Sequence, residues 1–150
     1  MQNKIYPYVL LRENKYTFIS IGKRRITKQV LFTPTGIDNI VNLGFGDLMP
    51  DGSIDDTANS NNGDIVSVLA TVVEILMDFT ASYPHVEIFF AGSTPERTRL
   101  YTRILKTYFE NFRNQFRIQG LIIDGERYVQ VPFEPKIDLV FVGFIIRRNY

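Results

Sequence analysis

Apolar residues cluster or alternate over short lengths early in the chain and recur every three or four positions in its middle, so strands are expected first and helices later. Lys15 to Ile21, KYTFISI, and Ile26 to Phe32, ITKQVLF, are rich in β-branched and aromatic residues over a strand's length. Gly22-Lys23-Arg24-Arg25 between them has a hairpin's size and supplies a glycine for an awkward dihedral. Thr33-Pro34-Thr35-Gly36 is turn chemistry, and Asp38 to Phe45 reads as a third strand, giving an antiparallel meander.

Asp47 to Ser60 is rich in Asp, Gly, Ser and Asn and reads as a surface loop. Ile65, Val68, Leu69, Val72, Ile75, Leu76 and Phe79 then fall on one face of a helix running from Asp64 to Phe79, and Val66, Val73 and Met77 widen that face until the helix is expected to be largely buried. His85 to Ala91 is apolar enough for a central strand. Thr94-Pro95 places a cap residue before a proline at the first helical position, and Ser93 with Glu96 fits the reciprocal capping spacing. Leu100, Ile104, Tyr108 and Phe112 continue that second helix, with Arg99, Arg103 and Lys106 on its outer face. Phe116 to Ile123, the turn Asp124-Gly125, Tyr128 to Phe133 and Val140 to Ile146 complete the pattern as strands.

With 150 residues, 45% of them hydrophobic, the chain is expected to form a single domain over residues 1–150. Its 17 basic and 16 acidic residues nearly cancel, so attraction to a polyanion has to come from local clustering. Cysteine is absent, which removes thiol chemistry and agrees with a reducing compartment. The opening residues lack a signal-peptide pattern and no stretch is uncharged and apolar over a membrane's width, so a cytoplasmic protein without membrane attachment is expected.

Three antiparallel strands followed by helix, strand, helix and strand resemble the ribonuclease H fold, an α+β or α/β architecture with a mixed sheet, here with an extra C-terminal strand pair. Short segments carry the same resemblance: Thr17-Phe18-Ile19-Ser20-Ile21-Gly22, Asn61-Asn62-Gly63-Asp64-Ile65 and Phe90-Ala91-Gly92-Ser93. That family's carboxylates hold two magnesium ions roughly 4 Å apart. Ile21, Ile65 and Gly92 stand at the matching positions and bind no cation, while Asp64 lies one residue off the helix position. The chain also resembles a bacterial family of unknown function, made of short single-domain proteins with LGFGD, SNNGD and GSTPxRTRLY segments like Leu43–Asp47, Ser60–Asp64 and Gly92–Tyr101. That resemblance implies no activity.

In Gly92–Tyr101 the chain leaves a strand's carboxyl end and starts a helix whose free N–H groups attract anions. Ser93, Thr94, Arg97 and Tyr101 are therefore the candidate ligand-binding residues. The alternative is structural: the hydroxyls cap the helix, and Arg97 pairs with an internal acid such as Asp47 or Asp64. Lys23, Arg24, Arg25 and Lys28 on the hairpin, and Arg99 and Arg103 on the second helix, form a candidate basic surface for a phosphate backbone, or ordinary solvated faces. Tyr6, Tyr8 and Tyr16 are offered as stacking residues, or as sheet cover. Asp51-Gly52-Ser53-Ile54-Asp55, with Asp56 beside it, has alternate oxygens but no distal Glu to complete a calcium loop. His85, the only histidine, has no evident acid or nucleophile beside it.

No metal site and no cofactor is expected. Three readings stay open: a noncatalytic module binding nucleic acid or a small protein partner through the 92–101 crevice and the hairpin at 22–28; a phosphate-directed enzyme such as a toxin-like nuclease using Arg97 with Asp47 or Asp64; and a homodimeric interaction protein pairing through the strand at 140–146.

Overall fold

The computed structural model describes residues 5–55 and 62–149. Among these, nine strands and three helices make a mixed α+β protein with a mostly antiparallel open sheet. Its contacts gather into two compact units: Met1–Thr33 with Leu43–Tyr83, and Pro34–Asn42 with Pro84–Tyr150.

The first unit contains β1 (Tyr8–Arg12), β2 (Lys15–Ile21), most of β3 (Arg25–Pro34), the later part of β4 (Ile40–Leu48), the short β5 (Ile54–Asp55) and α1 (Ile65–Ser82). The β2–β3 hairpin has the expected place, in the register Tyr16↔Val30 and Phe18↔Lys28. Period-two alternation sends Tyr16, Phe18 and Ser20 of β2 inward and leaves Ile19 and Ile21 exposed. Phe32 stacks on Phe79 of α1 with ring centroids 3.9 Å apart, which ties sheet to helix.

The apolar face of α1 is narrower than its sequence suggests. Val68, Ile75, Leu76 and Phe79 are buried, but so are Thr71 and Thr80, whereas Ile65 is exposed. Both threonines turn their hydroxyls back onto the helix, to the carbonyls of Ser67 and Leu76, which satisfies them and lets their methyl groups pack. This 18-residue helix, with mean hydropathy 1.8, is long and apolar enough to cross a membrane by length and composition alone, and 33% of it is buried. Two strands were not anticipated: β1, and β5, which pairs with β4 where only a loop was expected.

The second unit contains the first residues of β4, then β6 (Glu87–Phe90), α2 (Pro95–Thr107), α3 (Phe109–Phe112), β7 (Phe116–Asp124), β8 (Arg127–Pro132) and β9 (Gly143–Arg148). β6 lies parallel to β4 through Val41↔Ile88 and antiparallel to β9 through Phe89↔Ile145. β7 pairs with both β8 and β9. Ile88 and Phe144 are fully buried, and Phe133, Phe141 and Phe144 form a cluster of rings.

Two expectations about this unit are corrected. The second helix stops at Tyr108 and restarts as the one-turn α3, so its stripe is not continuous. The last strand runs over Gly143–Arg148 rather than 140–146, and its residues 144–146 are flanked by β6 and β7, so that stretch is not a free edge.

Candidate functional site

Asn62, just before α1, clamps the tip of the β2–β3 hairpin. Its Oδ1 accepts from the Arg24 amide at 2.7 Å, its Nδ2 donates to the Arg24 carbonyl at 2.8 Å and to Ser20 Oγ at 3.0 Å, and its own carbonyl accepts from the Lys23 amide at 2.9 Å. A Cβ on Gly22 would overlap the Asn62 carbonyl, so only glycine lets the two segments meet this closely. Two residues on, Asp64 Oδ2 accepts from Tyr6 Oη at 2.6 Å and from Ser20 Oγ at 2.5 Å. Burial, and then this bond, raise the Tyr6 phenol above its ordinary pKa.

Asp47 at the end of β4 is equally committed. It forms an ion pair with Lys28, which is only 6% exposed and lies over the Phe45 ring. Lys28 is therefore corrected from basic surface to buried partner: its inward register position opposite Phe18 gives the ammonium no route to solvent, and a carboxylate meets it inside. Neither Asp47 nor Asp64 is the partner of Arg97. Both carboxylates named for the enzyme reading thus have partners elsewhere in the chain.

In the second unit, Thr94 caps α2: its extended backbone lets Oγ1 accept from the Arg97 amide at 3.2 Å, with Pro95 opening the helix. Glu96 in that first turn is held below the ordinary carboxyl range by its own backbone N–H, with Arg99 and Thr94 assisting. The Gly92 amide donates to Thr98 Oγ1 at 3.1 Å, and a Cβ on Gly92 would overlap Arg97 Cβ and the Thr98 amide. The expected crevice is thus closed at its floor by the strand's exit lying directly on the helix, while Ser93 and Thr94 remain exposed. Tyr101 sets its ring against Phe90 at 6.0 Å.

Arg97 is the anomaly. Its Nη2 is buried and has no hydrogen-bond partner among the described residues. Leaving such a donor unmade costs about 1–3 kcal/mol, and more for a charged group, so native proteins rarely do it without a reason.

The remaining candidates are dispersed. Lys23, Arg24 and Arg25 are exposed at the clamped tip. Arg99 is exposed and reaches Glu96 at 3.3 Å, and Arg103 is exposed. Tyr6 and Tyr16 are both 3% exposed, so they are core residues and cannot stack on a base. Asp51 Oδ1 accepts from the amide and hydroxyl of Ser53, at 2.9 and 2.6 Å, which closes a local turn and lowers its pKa. Asp55 stands opposite Asp47 in the β4–β5 ladder, Asp56, Ser60 and Asn61 lie outside the described residues, and His85 is exposed. Among the described residues no three His, Asp or Glu side chains gather at metal-ligand spacing.

The fold is that of a mixed α+β protein with a mostly antiparallel open sheet. The chain belongs to the family of unknown function DUF6934, whose model matches residues 2–149. No curated protein and no solved structure matches it.

Proposed function

We propose that this chain is a noncatalytic, cytoplasmic binding module whose ligand brings a phosphate-bearing polyanion, a nucleic acid, to Arg97 at the start of α2. The buried, partnerless Nη2 carries this reading. A guanidinium is the side chain best matched to a phosphate, which two of its parallel N–H groups grip at once. The exposed Ser93 and Thr94 stand beside it at the start of α2.

The Lys23-Arg24-Arg25 tip in the first unit supports the same ligand class as a separate contact. Its backbone is already fixed by Asn62, so little ordering cost remains to be met on binding.

Fluorescence anisotropy with single- and double-stranded oligonucleotides at 50 and 200 mM salt tests the proposal. Engaging three tip cations predicts about a 20- to 40-fold loss of affinity across that range. Arg97→Gln is expected to weaken binding about tenfold at 50 mM salt and to lower the salt slope by about one contact, and replacing the three tip cations is expected to flatten the salt dependence further. Absent or salt-insensitive binding rejects the reading.

One observation favours a second reading, self-association. Among the described residues β1 is the outermost strand of its unit, and it exposes Val9, Leu10 and Leu11 at 57, 51 and 53%. Such an apolar edge is a template for strand addition. A light-scattering mass that doubles with concentration, and returns to the monomer in Leu10→Lys, would support it.

A further inference from the structure

Asn62, which clamps the β2–β3 hairpin, is followed by Gly63, and theirs is the one Asn-Gly pair in the sequence. In such a pair the backbone nitrogen of the second residue can attack the side-chain amide carbon of the first, and glycine, having no Cβ, hinders that attack least. Gly63 is exposed with φ 80°, whereas Asn62 is only 5% exposed. The attacking residue lies at the surface and its target lies inside.

The clamp itself opposes the reaction. Asn62 Oδ1 accepts from the Arg24 amide at 2.7 Å and Nδ2 donates to the Arg24 carbonyl at 2.8 Å, so the planar side-chain amide pairs with Arg24 as a neighbouring strand would. Attack makes Cγ tetrahedral and takes Oδ1 and Nδ2 out of the plane in which Arg24 holds them. The reaction therefore has to wait for a local opening of the hairpin tip.

Once it has happened, the clamp cannot close again. Ser20, fully buried, has one hydroxyl hydrogen: Oγ donates it to Asp64 Oδ2 at 2.5 Å and accepts from Asn62 Nδ2 at 3.0 Å. A carboxylate at position 62 has no hydrogen to give to Ser20 or to the Arg24 carbonyl, and it sets a second anion one hydroxyl away from Asp64. An isoaspartyl product does further damage, because its extra backbone methylene moves the Asn62 carbonyl that accepts from the Lys23 amide at 2.9 Å.

We infer that Asn62-Gly63 is a self-modification site guarded by the fold. The Gly63 nitrogen bonds to Asn62 Cγ, Nδ2 takes the Gly63 amide proton and leaves as ammonia, and water opens the resulting cyclic imide to aspartate or isoaspartate. The hairpin tip is thereby a one-way latch: its release frees the backbone of Lys23, Arg24 and Arg25 and adds a negative charge beside them. This inference does not rest on the nucleic-acid reading.

The experiment incubates the full chain at mildly alkaline pH with and without denaturing urea, and follows deamidation of the peptide bearing Asn62 by mass spectrometry and exchange of the Lys23 and Arg24 amides. Deamidation at Asn62 is expected to be at least about tenfold slower in the folded chain than in urea. Gly22→Ala, whose Cβ would overlap the Asn62 carbonyl, should remove most of that protection without urea. Folded chains already deamidated at Asn62, and Asn62→Asp, should exchange the two amides about tenfold faster than the parent. Equal deamidation rates with and without urea, a folded Gly22→Ala that reacts no faster than the parent, or unchanged exchange in Asn62→Asp each overturns the inference. Should Gly22→Ala fail to fold, the urea comparison on the unaltered chain decides.

Discussion

The starts of α1 and α2 solve the same problem with opposite outcomes. Each follows a glycine-bearing segment, each crowds polar groups against the first helical turn, and each lies in its own compact unit. Before α1, Asn62 and Asp64 are consumed by Ser20, Tyr6, Lys23 and Arg24, so the segment functions as a fastener. Before α2, Thr94 and Thr98 are similarly occupied, yet Arg97 keeps a buried donor with no acceptor. A polar group that the fold itself satisfies needs no other explanation, and one that it leaves unsatisfied points to something outside the chain.

The sharpest way to break this comparison is to make the first unit resemble the second. Asp47→Ala removes the carboxylate from the buried Lys28 and is expected to cost about 3–5 kcal/mol in urea unfolding. The pair Lys28→Met with Asp47→Leu should recover most of that loss, because an apolar pair carries no desolvation cost. Asn62→Ala strips acceptors and donors from Arg24 and Ser20 and should cost about 2 kcal/mol, with faster amide exchange at Lys23 and Arg24.

At α2 the expected effect is smaller and of opposite sign. Arg97→Met removes a cation whose buried donor the fold leaves unpaired, so stability should hold or rise by about 1 kcal/mol while oligonucleotide binding weakens about tenfold. A loss above about 2 kcal/mol would place Arg97 with the fasteners and end the contrast.

The smallest effect is on pH dependence. Burial, followed by the charge of Asp78, pushes the Tyr16 phenol up to about 12 from its ordinary 10.0. A raised folded-state pKa means that the unfolded chain loses its proton first, so the contribution is complete below pH 10 and is lost as pH climbs toward 12. Tyr16→Phe should leave neutral stability nearly unchanged and flatten that alkaline decline in a pH series of thermal melts.

Much of the chain could be read from local pattern. The β2–β3 hairpin and the Thr94-Pro95 helix start depend on neighbours in sequence and stand where their residues put them, while the expected Asp124-Gly125 turn falls one residue later, at Gly125-Glu126, with Asp124 paired to Arg127. The partners of Asp64 could not be found this way, because Tyr6 and Ser20 lie 58 and 44 residues away. The one signal was indirect: Gly22 in the hairpin and Asn62 before the helix both suggest a close backbone approach, without saying that it is to each other. Lys28 misled for a related reason, since basic residues in a run look solvent-facing until the ladder register turns one of them inward.

By itself the sequence determined where strands turn and helices begin, because caps, turns and alternation are short-range effects decided within a few residues. Only the tertiary structure decided which charges are spent and which are spare. Satisfaction of a buried ion or hydroxyl depends on what folds against it from far along the chain, and that is why Asp64 became a fastener while Arg97 was left with a hydrogen to give.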